Sequence, residues 1–108
     1  MNSILVKRFL AAASGMLLAL YAYAADLNNF VLACKNNTDM SQEMCECSAG
    51  KAQNELSESG FNFVVSALNK DDAETTKLRS QMPANELLPA ATFLLRAPRD
   101  CAEELHPE

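Results

Sequence analysis

The chain has 108 residues, 14 acidic side chains against 9 basic ones, a net charge of −5 and 49% hydrophobic residues. A length of this order makes one small domain, and the negative balance argues against binding phosphate backbones or anionic lipid surfaces, which select basic patches. Four cysteines and a single histidine bound the metal and redox chemistry before any motif is read.

Residues 1–24 have the parts of a secretory signal peptide. Lys7 and Arg8 form a positive n-region, Phe9 to Leu20 an apolar stretch, and Ala22-Tyr23-Ala24 a small-x-small cleavage site. The apolar stretch is short for a span of about 20 residues, and Asp26-Leu27-Asn28-Asn29 supplies no positive flank to stop transfer. Cleavage would leave a single domain over 25–108, with no membrane anchor. Its net charge falls to −7, because Lys7 and Arg8 leave with the signal. Val31-Leu32-Ala33-Cys34 imitates a lipidation site, but the polar residues just upstream interrupt the apolar run such a site requires.

The periodicity after the leader is helical nearly throughout. Leu27, Phe30, Val31 and Cys34 fall at i, i+3, i+4, i+7, with Asp26 as a candidate N-cap. Asn36-Asn37-Thr38-Asp39 reads as a turn. A second helix runs from about Met40 to Leu56, with Cys45, Ala49, Ala52 and Leu56 on a stripe expected to face the first helix. Asp39 or Ser41 would cap it, and Gln42 stands three residues after Asp39 in capping-box spacing. Ser57-Glu58-Ser59-Gly60 breaks the pattern. Phe61, Val64, Val65 and Leu68 give a third helix, although Phe61-Asn62-Phe63-Val64-Val65 has a composition suited to a strand. Asp71-Asp72 opens a short polar helix through Leu78 that Pro83 ends. Asn85 opens a fifth segment, in which Leu87 to Leu95 is apolar almost all round and reads as the most buried stretch. Pro89 should lie in its first turn or kink it, Pro98 should end it, and Cys101 should follow in a tail. The fold class is therefore all-α, a small bundle of four to five short helices stapled by two disulfides.

The cysteines are spaced Cys34-x10-Cys45-x-Cys47-x53-Cys101. A small exported domain with an even cysteine count reads as a disulfide framework, and four cysteines allow three pairings. Helix positions rotate by about 100°, so Cys45 and Cys47 point roughly 200° apart. They cannot readily make the Cβ···Cβ approach of about 3.8 Å that a mutual bond needs. Each should bond a different neighbour. The stripe assignment favours Cys34–Cys45 and Cys47–Cys101, with the swapped pairing close behind. Loops of about a dozen and over fifty residues are worth roughly 3 and 4 kcal/mol in the chain-entropy picture. Gly50 lies one turn beyond Cys47, where close approach of the tail would offset its cost in a helix.

Other chemistry is thinly represented. Met40, Met44, Cys45, Cys47 and Met82 form a soft sulfur-rich set suited to Cu(I). The Cys-x-Cys pair could act as a redox dithiol, but Glu43 and Glu46 flank it and would raise its thiol pKa. Asn36-Asn37-Thr38 matches a glycosylation triplet and reads as coincidence. Asp71, Asp72 and Glu74 lack the glycine of a calcium loop and suit a helix N-terminus. His106 sits in the tail without a partner acid, and Ser41, Ser48, Ser57, Ser59 and Ser66 have no nucleophile-elbow context.

In layout the chain resembles the periplasmic immunity proteins that neutralise cell-wall amidase toxins. Asp26-Leu27 leads to Cys34, and Leu94-Leu95 leads through Pro98 to Cys101. The Gly-aromatic motif of their second helix is absent. The expectation is a periplasmic or secreted, non-enzymatic module without a cofactor, which acts on an unknown protein partner as inhibitor, immunity-like factor, adaptor or chaperone. The alternative is a periplasmic thiol-redox or Cu(I)-handling protein using Cys45 and Cys47. Leu87–Leu95 and Phe61 or Phe63 are the candidate contact residues.

Overall fold

A computed structural model describes residues 26–107; the expected signal peptide lies outside them, and Asp26, the candidate cap of the first helix, is itself helical. The described residues hold five helices and no strand. Helix α1 covers 26–37, followed by α2 (Gln42–Glu55), α3 (Glu58–Leu68), α4 (Asp72–Gln81) and α5 (Ala84–Leu105). Among them no helix is long and apolar enough to cross a membrane.

Local chemistry sets the boundaries. Ser41, rather than Asp39, caps α2: its hydroxyl accepts from Met44 N at 3.2 Å. Gln42 instead reaches forward to Glu46. Ser57 caps α3 by accepting from Gly60 N, so the expected break at 57–60 is a helix start and Gly60 lies inside the helix. The strand-like run Phe61–Val65 is helical because it buries Phe61, Phe63 and Val64 on the inner side of α3. The C-terminus of α3 is a Schellman motif: Asp71 N donates to Ser66 O and Lys70 N to Ala67 O, with Lys70 at φ 57°. Asp71 then caps α4 through Glu74 N.

Helix α5 departs most from the sequence reading. It is one helix of 22 residues with Pro89 and Pro98 both inside it, so Pro98 does not end it and Cys101 lies on helix rather than in a tail. Proline lacks the N–H that would bond the carbonyl four residues back. The helix survives this because Ala90, Phe93, Ala97 and Cys101 bury one face across both prolines. The expected burial of Leu87–Leu95 is also corrected. Only Ala90 and Phe93 of that stretch are buried, while Leu88 and Leu95 are 65% and 83% exposed.

Three aromatic rings join α1, α3 and α5 at the centre. Phe30 lies 5.6 Å from Phe61, tilted, and 6.4 Å from Phe93, edge-on. Cys34, Cys45, Ala49, Ala52 and Val64 pack around them. At the α3–α5 crossing, a Cβ on Gly60 would stand 3.5 Å from Ala90 Cβ and 3.3 Å from Ser57 Oγ, which is the close approach glycine permits. Gly50 has no such role: among the described residues nothing lies within 4 Å of where its Cβ would be, so the close approach expected there is not found.

Candidate functional site

The cysteines brace α2 on two sides. Cys34 of α1 bonds Cys45, and Cys47 bonds Cys101 of α5, with Cα–Cα distances of 5.7 and 6.0 Å. This is the pairing that the stripe through Cys45, Ala49, Ala52 and Leu56 favours. Because Cys101 is helical, the second bond fixes helix to helix instead of clipping down a tail. Cys45 and Cys47 thus have different partners and present no thiolate while both bonds are intact. Of the methionines singled out with them, Met40 packs half-buried against the core and Met82 is 9% exposed. Among the described residues no set of three or more His, Cys, Asp or Glu side chains could hold a metal ion.

An ionic seam runs beside the second bridge. Lys51 Nζ is 2.6 Å from Glu104 Oε1, and Arg96 reaches Glu55 at 3.3 Å and Asp100 at 3.0 Å. The hydrogen bond from Lys51 to Glu104 raises the lysine pKa, and the bonds to Glu55 and then Asp100 raise that of Arg96. These side chains are 20–59% exposed, so water weakens the pairs and they align α2 with α5 more than they stabilise the fold. The sequence reading missed this seam, since its partners lie 41 and 53 residues apart.

The remaining motifs have local duties. Thr38 Oγ1 donates to Cys34 O at 2.6 Å and accepts from Met40 N, and Asn37 Nδ2 donates to Ala33 O and Asn69 Oδ1. The glycosylation triplet therefore closes the end of α1. Ser66 is buried, donates to Phe63 O and accepts from Thr75, which ties α4 to α3. His106 is the C-cap residue of α5. Phe61 and Phe63, two of the contact candidates, are buried at 8% and 3% exposure.

Among the described residues the large exposed apolar side chains are Leu32 on α1 and Leu88 and Leu95 on α5. At about 100° per residue, Leu88, Leu95 and Ala102 recur every seven residues on its outward side, with Ala91 and Pro98 between them. Leu88, Ala91, Leu95 and Ala102 are exposed and Pro98 is half-buried. Arg99 and Glu103 are confined to the far flank of this stripe, and the near flank, through Leu87 and Leu94, continues into the core. A helix of this length is about 33 Å long. A half-open cleft of about 40 Å³ lies between Cys34, Met40, Val64, Phe93 and the inner side of Pro98. That is far below the roughly 300 Å³ of a small-molecule site.

Comparison with protein-family models, with curated proteins and with solved structures finds no match.

Proposed function

We propose that the chain is an exported, non-enzymatic helical module that works by protein–protein contact through the outer face of α5. The observation that carries this reading is the row Leu88, Ala91, Leu95 and Ala102, exposed on a helix whose opposite face is core. Contiguous exposed apolar rows of this kind mark contact surfaces more often than scattered single leucines do. Spacing of i, i+3, i+7 suits docking into an apolar groove. A standard interface takes about 800 Å² from each partner, more than one helical face offers, so the groove would wrap α5 rather than lie flat on it. The net charge of −7 left once Lys7 and Arg8 go with the signal favours a partner whose groove is rimmed by basic side chains. Two intramolecular disulfides fit an oxidising compartment, so the periplasm or the extracellular medium is the proposed location.

The test uses the oxidised chain beginning at Ala25 and two surface variants. Leu88→Glu and Leu95→Glu together should abolish capture of a saturable partner. Leu32→Glu, at an exposed leucine of α1 (58% exposed), should leave capture intact. Equal capture by parent and the α5 double variant would overturn the reading.

A further inference from the structure

The two bridges differ in which sulfur a reagent can touch. Cys34, Cys45 and Cys101 have no solvent exposure, whereas Cys47 is half-buried at the α2–α5 seam. Behind that bridge stands a buried hydroxyl. Ser48, 3% exposed, has its Oγ 3.7 Å from Cys101 Sγ, and among the described residues this is its side chain's hydrogen-bond partner. A disulfide sulfur carries no proton, so the hydroxyl is the donor. Glu104 Oε2 lies 3.8 Å from Cys47 Sγ, with Lys51 Nζ bonded to the other carboxylate oxygen.

We propose that Cys47–Cys101 is a thiol–disulfide exchange site for dithiol reductants, with Cys47 the sulfur attacked and Ser48 the group that receives charge on Cys101. A thiolate of the dithiol attacks Cys47 Sγ from the solvent side. The Cys47–Cys101 bond breaks, and its electron pair leaves on Cys101, where the Ser48 hydroxyl donates to the new thiolate. The second thiol of the reductant then attacks the mixed disulfide at the reagent's own sulfur and releases Cys47. Two electrons pass to the protein, two protons finish on Cys47 and Cys101, and the dithiol becomes a disulfide. Leaving-group stabilisation speeds such exchange, and a buried thiolate without a donor would be a poor leaving group. The ammonium of Lys51 partly offsets the repulsion that Glu104 imposes on an incoming thiolate. Cys34–Cys45 has no accessible sulfur and stays closed, so reduction frees the last turns of α5 from α2 while α1 remains fixed to α2.

The test treats the folded, oxidised chain with dithiothreitol at neutral pH, blocks new thiols with iodoacetamide and maps the modified peptides over time. Cys47 and Cys101 should be modified before Cys34 and Cys45, at a rate that low urea does not change. Ser48→Ala should slow that opening about 5-fold, the rate equivalent of one hydrogen bond, and leave the Cys34–Cys45 rate unaltered. Glu104→Gln, a surface change that does not threaten the fold, should speed opening several-fold, an effect that 1 M salt removes. Opening of both bridges together at the rate of global unfolding, earlier opening of Cys34–Cys45, or a Ser48→Ala rate equal to the parent's would each overturn the proposal.

Discussion

Among the described residues Lys70 is the non-glycine residue at positive φ, and replacing it with glycine should make the protein more stable. Its φ is 57°, in the left-handed region, where it forms the turn of the Schellman motif between α3 and α4. An L-residue pays about 1–2 kcal/mol for that conformation and glycine pays nothing. Glycine in turn loses about 0.5–1 kcal/mol more conformational entropy on folding. Lys70 is exposed, and among the described residues no ion pair includes it, so little else is lost. The balance is a gain of about 0.5–1 kcal/mol, or about 3–6 °C in Tm for a domain of this size. Urea unfolding followed by circular dichroism reads it directly, with the m-value unchanged. The turn geometry described above would be refuted by a Lys70→Gly midpoint at or below that of the parent.

Three further outcomes are expected. Gly50→Ala should stabilise by about 0.5–1 kcal/mol, since the position is mid-helix and its new methyl meets no described atom within 4 Å; a loss on urea unfolding would mean that something packs there. The same change at Gly60 should fall at least about 1 kcal/mol below the Gly50 result, because its new methyl meets Ala90, Leu56 and Ser57. Phe93→Ala should cost about 3–5 kcal/mol, while Leu95→Ala stays within about 0.5 kcal/mol. Similar losses at both positions would contradict the sidedness of α5.

Much of the fold was legible because it rests on local rules. Spacing of three and four placed Leu27, Phe30 and Cys34 on one face of α1, and the opposed directions of Cys45 and Cys47 bore on which helix each would reach. Asp71 marks a helix start, Ser41 is one of two candidates for another, and Ser57-Glu58-Ser59-Gly60 reads as a break where the structure starts a helix. What failed was non-local. Nothing near Pro98 shows that Phe93, Ala97 and Cys101 will hold the helix together across it. An apolar run such as Leu87–Leu95 cannot reveal by itself that only one side finds a partner, so it reads both as the most buried stretch and as a candidate contact surface, beside Phe61 and Phe63, which are buried. Gly50 and Gly60 were misjudged for the same reason, since close approach is a property of crossing helices. The Ser48–Cys101 contact and the Lys51–Glu104 pair join residues 53 apart, beyond any periodicity.

The central claim is that α2 is braced on opposite sides, to α1 by Cys45 and to α5 by Cys47. Glu46 is the only residue between the two cysteines, so a glutamate-specific protease separates them without disturbing either bond. Mass spectrometry of that digest without reduction should find the Cys34 fragment joined to Cys45 and the Cys47 fragment joined to Cys101. Fragments joining Cys34 to Cys47 and Cys45 to Cys101, or free thiols at these positions, would contradict it.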